Sequence, residues 1–114
     1  LVRGDDLRII DHELAFMHRL ILGWKAPWLM GGMRDLATPG RHIFVSGLKG
    51  AALDFEPIRS RWTALSDARL KEYAGSVPPE WAAANADIDV ALKLIADARD
   101  NLDACIAELG RVLS

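Results

Sequence analysis

Apolar residues in the last third of the chain repeat at helical spacing. Seven of them follow a 4-3-7-4-3-4 pattern, which places them on one face of an α-helix: Ile88, Leu92, Ile95, Leu102, Ile106, Leu109 and Leu113. We therefore predict a long C-terminal helix over residues 86–113. Arg99 occupies the position of this stripe between Ile95 and Leu102. A charged residue there argues against a long coiled coil and favours a helix that docks on the body of the domain.

The sequence between residues 14 and 85 predicts short helices separated by loops. Each helix is indicated by apolar residues at helical spacing, together with a capping residue or proline at its start or a glycine at its end. The predicted helices cover residues 14–22, 55–65 and 66–75, with a further helical turn near residues 78–81. Thr38 and Pro39 are typical of another helix start. A strand at residues 43–45 is the competing interpretation for the segment after them.

The first eleven residues predict a β-hairpin. Apolar and polar residues alternate at residues 7–9, and the preceding Gly4, Asp5 and Asp6 are residues that favour turns. We place the strands near residues 1–3 and 7–11. The chain opens on Leu1 without an initiator Met or a signal-peptide pattern, so we expect a piece of a longer protein whose first strand is cut.

Composition narrows the class of protein without identifying it. The 114 residues are 51% hydrophobic and 26% charged, which fits one globular domain or fragment, and the net charge of −2 argues against a general nucleic-acid binder. The longest uncharged stretch, residues 26–33, is too short to span a membrane. A single cysteine excludes an internal disulfide and fits a cytoplasmic protein.

The single cysteine and the four tryptophans are best explained as residues that pack in the core or at its rim. We expect Cys105 to be a small buried thiol, because the sequence places no His or cation beside it to lower its pKa. The four tryptophans are expected to pack in the core and at its rim. Among them, Trp24 and Trp28 share a loop with Pro27 and Met30, and this pair suits an exposed apolar surface.

Asp11 is the candidate metal ligand of the chain. It directly follows the second predicted strand, where a carboxylate held by a rigid element suits a hard cation bound to phosphate. The alternative is that Asp11 only ends the strand and caps the next segment. His12 could tune the site or carry a proton, or be a structural neighbour. Glu13 could support the metal ligand, or only place its charge at the start of the next helix.

The segment Ile10-Asp11-His12-Glu13, following a hairpin, resembles the metal-binding segment of HipA-like kinases and, more distantly, of the phosphatidylinositol-kinase-like group. Three later stretches resemble the C-terminal helical region of bacterial HipA-like proteins: Leu48-Lys49-Gly50, Asp54-Phe55-Glu56-Pro57 with Trp62, and Pro78-Pro79-Glu80-Trp81. The resemblance covers most of the chain. Of these segments, only Ile10-Asp11-His12-Glu13 contains residues of a candidate functional site.

The resemblance implies a mainly α fold with a small N-terminal β-hairpin, forming the helical C-terminal portion of a kinase-like lobe. Asp11 would correspond to the aspartate of the Asp-Phe-Gly motif and would bind Mg²⁺ that bridges the ATP phosphates. The catalytic base, the second metal ligand and the nucleotide-binding lysine would all precede Leu1. Because His12-Glu13 replaces Phe-Gly, the switch made by that Phe is not implied.

The sequence supports two functional hypotheses. In the first, the intact protein transfers phosphate from Mg-ATP to a protein hydroxyl. The 114-residue piece would then be inactive, bind no cofactor alone, and have the upstream part of its own chain and a protein substrate as partners. In the second, the chain is a non-catalytic helical interaction or regulatory module. Its long helix and Trp-rich loop would then bind a partner or a second copy. Neither hypothesis involves nucleic acid or a membrane.

Overall fold

A computed structural model describes residues 2–3, 6–7, 22–39 and 45–114. Strand β1 (Val2–Arg3) pairs antiparallel with β2 (Asp6–Leu7), with Val2 opposite Leu7. The predicted hairpin extends to residue 11, and residues 8–11 lie outside the described ranges, so the longer hairpin stays a prediction. The rest of the described chain is mainly helical, which confirms the expected mainly α class.

Helices follow one another with short connections after residue 44. They are α1 (Val45–Leu48), α2 (Glu56–Thr63), α3 (Asp67–Gly75), α4 (Asn85–Asp100) and α5 (Leu102–Leu113). The described ranges also contain the 3-10 helices Arg34–Ala37 and Pro79–Ala84, which precede α1 and α4 respectively. The predicted helix over residues 14–22 falls almost wholly outside the described residues, and so do residues 40–44. Val45 begins α1 and is therefore helical rather than part of a strand.

Local side-chain chemistry accounts for the starts of α2 and α3. The carboxylate of Asp54 accepts a hydrogen bond from the amide of Glu56 at 2.9 Å, and Pro57 occupies the first turn of α2. Ser66 caps α3, because its hydroxyl oxygen accepts from the amide of Arg69 at 3.1 Å. The Ser66 cap is thus confirmed.

The prediction of one continuous helix over residues 86–113 is wrong, because the structure has two helices there, α4 and α5. Asn101 separates α4 from α5 and has non-helical dihedral angles, φ −113° and ψ 26°. Its side-chain amide donates to the carbonyl of Asp97 at 2.8 Å. Asparagine competes for backbone groups in this way and therefore favours helix ends over helix interiors. Apolar periodicity does not reveal such a break, because the stripe continues on both sides of it.

Helix α5 lies at the centre of the described part of the chain. Cys105, Glu108, Val112 and Leu113 are buried on it, whereas α2 and α4 bury no residue fully. It packs against α2, α4 and the 3-10 helix Arg34–Ala37, while α3 packs on α4. The amide of Gly50 also donates to the carbonyl of Leu113 at 2.8 Å. The buried residues of α5 therefore form a main part of the core of the described chain.

None of the helices in the described ranges has the length and apolar character that crossing a membrane requires.

Candidate functional site

The predicted metal-binding residues Asp11, His12 and Glu13 all lie outside the described residues. The nearest described positions are Leu7 in β2 and Leu22. Within the described ranges, no three His, Cys, Asp or Glu side chains come together as a metal site would require. The assignment of Mg²⁺ to Asp11 therefore stays a prediction.

An apolar groove runs between α2 and α5 and has a volume of about 290 Å³. Its walls come from one face of each helix and from the loop before the 3-10 helix Arg34–Ala37. The lining side chains are Pro27, Met33, Phe55, Ile58, Trp62, Ala98, Leu102, Cys105, Ile106 and Leu109. The lining is almost wholly apolar, with the Cys105 thiol and the Trp62 indole as its side chains that carry a polar group. The groove can therefore bury another apolar group.

Glu108 anchors the loop of residues 26–33 on α5. The side chain is 5% exposed, and Oε1 accepts hydrogen bonds from the amides of Gly31 at 2.7 Å and Met33 at 3.4 Å. Arg111 donates to both carboxylate oxygens, at 2.7 and 2.8 Å. The Arg111 hydrogen bond is the main reason that the pKa of Glu108 is lowered to about 2. Burial opposes this effect, and the two amides add to it.

The loop that Glu108 holds is closely folded. The amide of Leu29 donates to the carbonyl of Ala26 at 3.0 Å, and the amide of Gly32 donates to the carbonyl of Leu29 at 2.8 Å. A Cβ atom on Gly32 would overlap the carbonyl group of Ala26. Glycine is therefore required for the close backbone approach at this position.

Sequence reasoning missed the role of Glu108. The only signal in the sequence is the spacing of Glu108 and Arg111, three residues apart on one helix. Pairs of opposite charge at this spacing are common on exposed helix faces, so the pattern alone does not indicate burial.

Arg99 joins the end of α4 to the turn between α2 and α3. The side chain is 15% exposed, and Nη1 donates to the carbonyl of Leu65 and to Asp67, each at 2.8 Å. Its hydrogen bonds to Asp100 and Asp67, in that order of importance, raise the pKa of the guanidinium. The expectation that Arg99 marks a helix docked on the domain body is confirmed.

Cys105 is 8% exposed and forms part of the groove wall, so its predicted burial is confirmed. Removal from water disfavours the thiolate and raises the pKa of this thiol. A raised pKa lowers the fraction of thiolate, which is the reactive form. The described environment therefore suits packing rather than nucleophilic chemistry.

The loop that contains Trp24 and Trp28 has exposed apolar side chains, and the expectation of an exposed pair holds for Trp24 only. Trp24 is 36% exposed, Leu29 47% and Met30 77%, while Trp28 is half-buried. Trp81, in the 3-10 helix before α4, is 64% exposed. These side chains give the described body an apolar surface that a partner could cover.

Comparison with known protein families, curated proteins and solved structures finds no match to this chain. The resemblance to HipA-like kinases therefore depends on the four sequence segments that carry it.

Proposed function

We propose that the chain is the helical C-terminal portion of a HipA-like kinase. The observation that carries this proposal is the order of elements along the chain. A short antiparallel ladder, β1 and β2, comes first, Asp11 follows four residues after Leu7, and a helical body follows. In sequence order the candidate metal ligand thus comes after a strand and before a helical body, which agrees with the order of elements that the resemblance implies.

The other segments of the resemblance lie at helix ends in the described body. Leu48 ends α1 and is followed by Lys49 and Gly50, while Asp54 precedes α2 and Pro57 lies in its first turn. The Pro78–Trp81 stretch enters the 3-10 helix before α4. Turn and cap residues at these positions would be needed in any protein with this order of short helices, so they support the proposed architecture more than they support its chemistry.

In the proposed function, Asp11 would hold Mg²⁺, which would supply the positive charge that offsets the ATP phosphates during phosphate transfer to a protein hydroxyl. His12 and Glu13 would orient Asp11 or its water. The remaining catalytic groups would be supplied by sequence before Leu1, so the 114-residue chain alone should not transfer phosphate.

The test is Asp11→Asn in the longest natural protein that contains this chain, with phosphate transfer from ATP as the readout. We expect a loss of activity of about a hundredfold or more, with the circular dichroism spectrum unchanged. Asp89→Asn, at an exposed position on α4, is the matched control and should retain activity. Full activity in Asp11→Asn would reject the proposal, and so would phosphate transfer by the 114-residue chain alone.

A second candidate function is a non-catalytic helical interaction or regulatory module. It is favoured by the exposure of Trp24, Leu29 and Met30 on one loop. Met30→Glu should then weaken association with a partner or with a second copy, as measured by sedimentation equilibrium. Unchanged association would reject this surface. The measurement does not depend on phosphate transfer, so it separates the two candidates.

A further inference from the structure

The groove between α2 and α5 has walls that polar contacts hold on α5. Buried Glu108 accepts a hydrogen bond from the amide of Gly31, which fixes the loop that forms one wall. Asp103 of α5 pairs with Arg59 of α2, which carries the opposite wall. These four residues are not part of the groove lining, so their contacts leave the space between the walls unfilled. A ligand would enter a site that exists before it binds.

The exposure of the lining side chains shows where the groove is open. Cys105 is 8% exposed and is the most buried of them, whereas Ile58 is 50% exposed and Trp62 is 36% exposed. The groove therefore has a buried base on α5 and an open edge on α2. A ligand that covered Ile58 and Trp62 would remove apolar surface from water, which favours binding.

The volume of the groove limits the size of its ligand. The space measures about 290 Å³. An apolar cavity of roughly 150 Å³ is known to bind benzene, a single six-membered ring. The groove offers about twice this volume, which suits two fused rings.

The chemistry of the lining indicates the kind of ligand. Among the described residues, no charged side chain lines the groove, so a charged group at its base would lose water without gaining a partner. Two aromatic side chains, Phe55 and Trp62, and two sulfur atoms, from Met33 and Cys105, belong to the lining. Aromatic rings pair favourably with other rings and with sulfur. The lining therefore favours a neutral aromatic ligand over a saturated one of equal size.

We propose that this groove binds a small neutral aromatic molecule of about two fused rings. The rings fill the apolar space next to Cys105, and a polar substituent of the ligand faces water at the open edge beside Ile58. The inference is independent of the kinase proposal, because binding requires neither ATP nor Asp11.

The test is a titration of the chain with 2-naphthol, which has two fused aromatic rings and one small polar group. Binding is followed by NMR of the methionine methyl groups, labelled with carbon-13. Met33 lines the groove, whereas Met30 is 77% exposed and is not part of the lining. Ring currents of bound 2-naphthol should shift the Met33 signal until it saturates, with a Kd on the order of 0.1 mM for a ligand of this size. The Met30 signal should hardly move, and equal shifts of both signals would overturn the proposal.

A saturated analogue tests the preference for an aromatic ligand. Decahydro-2-naphthol has the same carbon skeleton without aromatic rings. It should displace 2-naphthol about two- to tenfold more weakly, because it loses the ring pairing with Phe55 and Trp62. Equal affinity of the two compounds would overturn the aromatic assignment.

Two variants place the ligand in the groove. Ala98→Leu adds a larger side chain to the lining and should weaken 2-naphthol binding tenfold or more, whereas Ala107→Leu at an exposed position of α5 should not. Trp62→Leu, at the open edge, should abolish most of the aromatic preference, and it decides the matter if Ala98→Leu does not fold. Unchanged affinity in a folded Ala98→Leu chain, or an unchanged preference in Trp62→Leu, would overturn the proposal.

A second copy of the chain is the competing occupant. In that case the Met33 signal would move with protein concentration when no 2-naphthol is present. Such a shift, together with failure of 2-naphthol to move the signal, would also overturn the proposal.

Discussion

Replacing Glu108 with Gln should make the protein less sensitive to acid. The wild-type carboxylate is held between Arg111 and the amides of Gly31 and Met33. The amide of Gln keeps nearly the same shape and still offers an oxygen to Gly31. It carries no charge and does not titrate, so the substitution isolates the contribution of ionisation from that of packing.

The pH range of the effect is set by the pKa values of the folded and unfolded chain. The pKa of Glu108 is about 2 in the folded protein, against an ordinary value of 4.5. The unfolded chain therefore binds more protons between these values. Stability from this group is fully present above pH 4.5 and is lost as the pH falls to about 2. Within that range, the titration of Glu108 can raise the unfolding equilibrium constant by up to about tenfold for each unit by which the pH falls.

Urea unfolding followed by tryptophan fluorescence, repeated across this pH range, measures the effect. The wild type should lose stability more steeply than Glu108→Gln. The lowered pKa of Asp100, caused mainly by its hydrogen bond with Arg99, contributes equally to both curves. Glu72→Gln, in an exposed pair with Arg69, is the control and should follow the wild type. Parallel curves for wild type and Glu108→Gln would refute the reasoning.

Two other predictions concern the core. Leu70→Ala should lower the free energy of unfolding by about 2–5 kcal/mol, because Leu70 is 6% exposed in α3. Urea unfolding would show this, and a loss no larger than that of the exposed Leu48→Ala would contradict it. Cys105 should react slowly with thiol reagents in the native protein and rapidly in urea, because burial raises the pKa of its thiol. Equal rates in the two conditions would contradict its burial.

Features set by local chemistry were predictable from the sequence. Ser66 caps α3 because its hydroxyl reaches an amide three residues ahead, and that relation is contained in the sequence itself. The buried position of Cys105 follows from its place beside the apolar stripe. The docking of Arg99 was also predictable, because a charge within an apolar stripe needs polar partners nearby.

Features set by distant parts of the chain were not predictable in this way. The partners of Arg99 lie in the turn between α2 and α3, and the burial of Glu108 depends on a loop far away in sequence. Periodicity within one helix contains no information about either partner. Asp11 is a different case, because it lies outside the described residues and its role as a metal ligand stays a prediction.

The contact between Glu108 and Gly31 joins residues 77 positions apart in the chain. During synthesis on the ribosome, the loop of residues 26–33 emerges long before α5, the helix that anchors it. Helices α2 and α3 also emerge earlier than α5, and the loop lacks its carboxylate partner until α5 has emerged. Folding of the described body should therefore finish late, with an interval in which Leu29 and Met30 belong to an unanchored apolar segment. That interval is when a nascent chain of this protein would most need a chaperone.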